Sequence, residues 1–280
     1  MTAPGPQLTR ADPIAMFDSG VGGLTVLHEC LVSLPEEDFL YLGDTAMFPY
    51  GSREVESLRV RVAAIASLLL DRGAKLLVIA CNTATAVATD VVREVAAERG
   101  VEVVPVVEPQ AEIAAAISDS GRVGVLATPN TVKSGAYRRA LERQGRALEV
   151  TEVEAPDLAP FIQDGSTFDE RILEMARGYC RPLKRAEVDT LILGCTHYPL
   201  VAPMLQRILG RDVRLVSGGH AVAAAVQRCL QSGELLGESG EEGGYRFLCT
   251  GDVESFRAVG SRFLQMPLGS IERIDVAAGV

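Results

Sequence analysis

Leu76-Leu-Val-Ile-Ala-Cys81-Asn-Thr-Ala-Thr85 is an unbroken apolar run that ends in a cysteine and then turns small and polar. A strand with one wet face alternates apolar and polar residues. A continuous run instead marks a strand covered on both faces, as in a parallel sheet flanked by helices. The segment Leu191-Ile-Leu-Gly-Cys195-Thr-His197 repeats the pattern 114 residues later (195 − 81). Ile14-Ala-Met-Phe-Asp-Ser19 and Val123-Gly-Val-Leu-Ala-Thr128 form a second pair, 109 residues apart (128 − 19). Near-equal offsets predict a duplicated α/β unit.

Working outward, apolar runs at Phe39–Leu42, Val103–Val107, Leu148–Val153 and Val213–Val216 add further strands. Helical period appears at Gly23–Ser33, Val55–Arg72, Ala84–Arg99, Pro109–Ser118, Ser134–Gln144, Phe168–Lys184 and Val201–Leu209. The stripe Leu58, Val62, Ile65 and Leu69 is the core face of one such helix. Alternating β and α elements predict an α/β fold of two pseudo-symmetric lobes, each a mainly parallel sheet flanked by helices, with the active site in the cleft between them. The expected division is 12–107 plus 217–280 for the first lobe and 108–216 for the second, with 1–11 as a disordered tail.

Composition narrows the function. At 280 residues, 48 % hydrophobic and 23 % charged, the chain is ordinary globular protein. It contains no apolar run of about 18 residues and no secretory signal pattern, so a cytoplasmic protein off the membrane is expected. The net charge of −10, without a basic stripe, argues against nucleic-acid binding. Six scattered cysteines are no disulfide scaffold, and three histidines without metal-ligand spacing argue against a metal.

Ligands of open parallel sheets bind beyond the carboxyl ends of the strands. Four segments fall there: Asp18-Ser19-Gly20-Val21-Gly22-Gly23, Gly43-Asp44-Thr45 running on to Pro49-Tyr50-Gly51-Ser52-Arg53, Cys81-Asn82-Thr83, and Cys195-Thr196-His197. The glycines bring backbone close to a ligand, and the helix N-termini offer free N–H groups to an anion. The Tyr50 loop is expected as a cleft wall supplying backbone donors and the Tyr50 hydroxyl. A lone strand-end cysteine is usually a small hydrophobe. Two in matching positions, each beside a helix N-terminus that favours thiolate, point instead to chemistry. His197, two residues from Cys195, is placed to orient that thiol or exchange a proton with it. Cys30, Cys180, Cys229 and Cys249, and equally His28 and His220, lack such context and are expected to be structural.

Two thiols facing one small molecule can remove a proton on one side and deliver one on the other, inverting a stereocentre. Disulfide exchange would use a nearby CxxC pair, which is absent. A thioester-forming hydrolase would leave the second cysteine redundant. Pyridoxal chemistry needs a lysine at the site, and Lys75, Lys133 and Lys184 lie elsewhere or carry no other sign of it. No cofactor is expected.

The four segments, with the extensions Cys81-Asn82-Thr83-Ala84-Thr85 and Gly194-Cys195-Thr196-His197-Tyr198-Pro199, resemble those of the cofactor-independent glutamate racemases, in order from about Ile14 to Leu215. The resemblance implies interconversion of L- and D-glutamate for peptidoglycan synthesis, no metal or pyridoxal phosphate, and a homodimer. It also implies that Cys81 and Cys195 are the acid/base pair, helped by Asp18 and His197 respectively. Asp18, Ser19, Tyr50, Gly51, Asn82, Thr83, Thr196 and His197 would hold the substrate, with Thr128 and Thr131 from the second lobe. Some members inhibit DNA gyrase; nothing in these residues points to that role. Since Arg53 is the one arginine in these segments, the substrate carboxylates are expected on backbone N–H and hydroxyl groups.

The chain departs from the family pattern at Ala155-Pro156, at Pro129-Asn130, at Ser217-Gly218-Gly219, and at Gln163-Asp164, where a glutamate supporting the second thiol is usual. Without it, His197 is the main helper of Cys195, or Asp164 takes the glutamate's place. Relatives acting on aspartate or a hydantoin, and a catalytically idle binding protein, are the alternatives.

Overall fold

The structure, a computed structural model, describes residues 8–165 and 169–276. Residues 1–7 of the expected tail, and Phe168 at the start of one expected helix, lie outside the described residues. Leu8 to Ala11, however, are not loose. Asp12 closes a turn on the Thr9 carbonyl at 3.2 Å, and the buried Lys75 ammonium donates to the Arg10 carbonyl. Lys75 is paired with Glu37 at 2.6 Å and also donates to Leu235, so one buried cation pins the start of the chain to a later loop.

The four apolar runs of the first half form β1 (Ile14–Asp18), β2 (Phe39–Gly43), β3 (Leu76–Ile79) and β4 (Glu102–Pro105). Those of the second half form β5 (Arg122–Ala127), β6 (Glu149–Glu154), β7 (Thr190–Gly194) and β8 (Arg214–Val216). Two sheets result, and within them the order β2-β1-β3-β4 recurs as β6-β5-β7-β8. Every strand pairing is parallel. The duplication is therefore topological as well as sequential, and β3 and β7 occupy the same interior place.

Helices α1 (Leu24–Ser33), α2 (Val55–Asp71), α3 (Asn82–Ala97) and α4 (Val107–Ile117) follow the first-half strands. After β5 the helix expected over 134–144 is α6 (Ala136–Glu142), and a short helix that was not expected, α5 (Pro129–Ser134), precedes it. Gly135 breaks them apart in the left-handed region at φ 66°. Then come α7 (Leu158–Gln163), α8 (Glu170–Arg185) and α9 (Ala202–Leu209). The 217–280 stretch builds α10 (Gly218–Ser232), β9 (Tyr245–Cys249), α11 (Val253–Leu264) and β10 (Ile271–Arg273). There β9 pairs with β2 and β10 with β9, so the end of the chain extends the first sheet.

The stripe Leu58, Val62, Ile65 and Leu69 of α2 is fully buried, as its spacing required. Among the described residues, no helix is long and apolar enough to cross a membrane.

Candidate active site

Cys81 follows β3 and caps α3: the Ala84 N–H approaches its Sγ at 3.4 Å. Cys195 follows β7 in the equivalent place of the other sheet. Both sulfurs line one cavity of about 20 Å³, with Ser19, the Phe48–Gly51 loop, Asn82, Thr83, Thr128, Thr196 and His197 on the same wall. Volume alone would not have found it, since a groove of about 1220 Å³ between α8 and α9 contains neither cysteine.

The two lobes meet here almost without slack. A Cβ on Gly22 would stand 2.3 Å from the Thr196 hydroxyl and 2.4 Å from His197 Nδ1, so only hydrogen fits. A Cβ on Gly51 would come within 2.7 Å of the Thr128 Cβ.

Asp18 and Thr131 lie behind this wall. The fully buried Asp18 accepts from the Gly20 N–H at 2.9 Å and from the Thr196 hydroxyl, across the cleft, at 3.1 Å. Burial pushes its carboxyl up to about 6, with those same donors pulling it back. Burial also pushes the Cys81 thiol up to about 12, and the nearby Asp18 carboxylate adds to the rise. The Ala84 and Ser19 N–H groups oppose both. The Cys195 thiol is raised by burial too, opposed chiefly by the His197 N–H.

His197 stacks against Phe48 at 5.2 Å and meets the edge of Phe263 at 5.0 Å. Burial lowers its imidazole to about 3, so it is neutral. Its Nδ1 is 3.8 Å from Cys195 Sγ, and its Nε2 is 3.0 Å from Gln163 Oε1. An amide oxygen only accepts, so Nε2 carries the proton and Nδ1 turns its lone pair to the thiol. Of the two alternatives left by the missing glutamate, His197 as the main helper of Cys195 or Asp164 in its place, Asp164 is exposed, and the side chain that reaches His197 is Gln163.

Several of the expected ligand donors already have partners in this structure. The Tyr50 hydroxyl is not free for a ligand: it donates to Asp44 Oδ2 at 2.6 Å. The Asn82 amide nitrogen is spent on Gln110 Oε1 at 2.9 Å and the Tyr137 hydroxyl at 2.6 Å. Thr83, Thr128 and Thr131 hydrogen-bond one another at 2.9 to 3.3 Å. In this closed geometry these polar side chains satisfy each other. Arg53 turns away to the Met47 carbonyl, and among the described residues no Lys or Arg lines the cavity.

Sequence reading missed the groups behind the wall. Arg61 grips Asp44 with two nitrogens at 2.9 and 2.6 Å, and Thr250 donates to the same carboxylate at 2.7 Å. Gln110 links Asn82 to the Leu193 carbonyl of β7. A cation next to Val62 on the edge of the apolar α2 stripe was the one visible signal for Arg61. The remaining thiols and histidines behave as structural groups. Cys30, Cys180 and Cys249 are buried in the core, His28 lies 2.8 Å from the Leu264 carbonyl, and His220 pairs with Glu29.

Two topologically equal α/β lobes meeting at a pair of strand-end cysteines define the class. The chain belongs to the Asp/Glu/hydantoin racemase family, whose model matches residues 32–226. Within that family it falls among the glutamate racemases, which makes it an isomerase. It is 42 % identical to the Geobacter metallireducens glutamate racemase over 95 % of this chain and 97 % of that one. Identity to the Bacillus cereus glutamate racemase is 38 %, over 96 % and 98 % of the two chains. Among solved structures, a Bacillus anthracis glutamate racemase isoform superposes with a TM-score of 0.90 at 33 % identity, covering 95 % of this chain and 98 % of that one. The Francisella tularensis glutamate racemase, solved in complex with D-glutamate, gives 0.89 at 31 % identity, again covering 95 % and 98 %.

Proposed function

We propose that the chain interconverts L- and D-glutamate by a two-base mechanism. Cys81 and Cys195 stand on opposite faces of the substrate Cα, and the product D-glutamate serves peptidoglycan synthesis. One observation carries this reading: both sulfurs line a single cavity, each at the end of the equivalent interior strand of its sheet.

In each direction one thiolate takes the Cα proton, the electron pair stays on the substrate as a carbanion delocalised into its carboxylate, and the opposite thiol returns a proton. Asp18, held near 6, is suited to accept the Cys81 proton near neutrality. The Nδ1 lone pair of His197 does the same for Cys195. Acid/base groups typically supply only about 10²–10⁴-fold, so the larger share falls to fixed donors in a dry site. With no cation on the wall, those donors are the N–H groups of the strand-end turns and, once substrate displaces their closed-form partners, the hydroxyls of Ser19, Thr83 and Thr196.

Glutamate is far larger than a cavity of about 20 Å³. Entry therefore requires the lobes, 12–107 with 217–280 and 108–216, to part and close again. We further assign the protein to the cytoplasm, as a homodimer.

The test is α-proton exchange in deuterated water with each glutamate enantiomer. Wild type incorporates deuterium at Cα, and both Cys81→Ser and Cys195→Ser lose racemisation by several orders of magnitude. If neither substitution slows the reaction, the thiols are packing residues. A protein that binds glutamate but exchanges no hydrogen is the idle binding form.

A further inference from the structure

Two regions from opposite lobes touch at the cleft rim: the loop carrying Tyr50 and Gly51, and the first turn of α5. One side chain ties them. Asn130, half-buried in α5, donates from Nδ2 to the Tyr50 carbonyl at 3.0 Å and to the Arg53 carbonyl at 2.8 Å. Both partners are carbonyl oxygens, so only the amide nitrogen can face them, and both of its hydrogens are used. Beside it, Gly51 packs against Thr128 with no room for a Cβ, and Thr128 bonds Thr83 at 2.9 Å. The loop's other anchors belong to its own lobe: the Tyr50 hydroxyl on Asp44 and the Arg53 Nε on the Met47 carbonyl. Asn130 thus spans the cleft rim with both of its amide hydrogens and leaves no polar hydrogen for a ligand.

We infer that Asn130 is a positioning residue that latches the Tyr50–Gly51 wall onto the second lobe when the site is closed, and must release each time it opens. The inference rests on the reading that this cavity is the glutamate site, because a cavity of this size admits glutamate only by opening along this seam. Release and re-formation of the two bonds then fall within every turnover.

Two variants separate a latch from simple packing. Asn130→Ala deletes both donors; Asn130→Asp keeps the shape but sets a carboxylate against two carbonyls. The first readout is hydrogen exchange in the free full-length protein, at the Arg53 amide, which donates to the Tyr50 carbonyl at 3.2 Å. Each hydrogen bond contributes about 1 kcal/mol net, so losing two corresponds to roughly a 10- to 30-fold shift in the opening equilibrium and faster exchange by that factor. The second readout is steady-state racemisation. KM for both enantiomers should rise about tenfold, with kcat changed much less, in Ala and Asp variants alike.

Unchanged exchange at residues 48–53 in Asn130→Ala would overturn the inference. So would an Asn130→Asp variant indistinguishable from wild type, or a lower melting temperature with exchange in this loop unaltered. Should wild type fail to racemise glutamate, the functional reading falls; the exchange measurement, which needs no substrate, still decides the latch.

Discussion

Replacing Gln163 by glutamate tests the site at its most unusual contact. Gln163 Oε1 lies 3.0 Å from His197 Nε2, and burial holds the imidazole near 3. A glutamate of nearly the same shape adds one negative charge at that distance. With an effective dielectric constant of about 20, two unit charges roughly 4 Å apart attract by about 4 kcal/mol, or about three pKa units. Part of this is lost to desolvating the new carboxylate, so His197 should rise from about 3 to roughly 5. Proton NMR titration of the His197 ring across pH 3–8 reads the shift directly.

The kinetic consequence follows from the same arithmetic. Taking the Cys195 proton onto His197 creates an imidazolium that the neutral amide does little to stabilise, and a carboxylate would stabilise it. If loss of that proton limits the rate, Gln163→Glu raises kcat/KM by about tenfold or more. The racemisation equilibrium constant is one, so kcat/KM must rise equally for both enantiomers, and only kcat and KM taken separately can diverge. Stability moves too. A folded-state histidine held below its unfolded value of about 6.5 costs stability as pH falls from there towards 3, because the unfolded chain binds a proton that the folded one refuses. The variant should lose less over that range. An imidazole that titrates identically in both proteins would refute the contact and the reasoning built on it.

Asp18→Asn should separate stability from activity. The buried carboxyl titrates near 6 against about 3.9 in the unfolded chain, so its contribution is full below about pH 4 and is lost as pH rises through 6. At pH 7.5 the amide variant is therefore more stable by up to about 3 kcal/mol, converges with wild type near pH 4, and racemises poorly; a denaturant series at both pH values checks the crossover. For Arg61→Ala, the cost of leaving the fully buried Asp44 carboxylate without its cation is about 3–5 kcal/mol. Urea unfolding in a double-mutant cycle with Asp44→Asn should return a coupling of several kcal/mol, and additive effects would remove Arg61 from the wall's support.

Which parts of this could be read beforehand follows from how far each signal travels along the chain. The strand-end cysteines were legible because a buried parallel strand imposes a local pattern and the duplication states it twice. The doubled order β2-β1-β3-β4 and β6-β5-β7-β8 put both thiols where that repetition implied. Helix α10 and strands β9 and β10 were not placed residue by residue, since the edge strand β10 is three residues long and two of them are exposed. Helix α5 was not read because its six residues are too few to show a helical period. The partner of Tyr50 was illegible for a different reason. Its hydroxyl looks free until it meets the carboxylate of Asp44, which also holds Arg61 and, from far along the chain, Thr250.

These internal pairings have a physical consequence for the acidic, arginine-poor site. Had Tyr50, Asn82 and Thr83 pointed free donors into the cleft, the closed cavity would have contained several unpaired polar groups, each costing about 1–3 kcal/mol. Instead Asn82 and Thr83 pair across the seam and Tyr50 pairs with Asp44 in its own lobe, so the closed form pays no such penalty without a ligand. The proposed parting of the lobes would break the pairs that cross the seam and free those donors for an incoming carboxylate. Recognition and closure thus draw on one set of hydrogen bonds, which an acidic protein can offer to an anion without placing a cation beside the reacting carbon. A substrate that could not replace the broken pairs would leave the lobes open, so the same groups that close the cleft also select what it closes on.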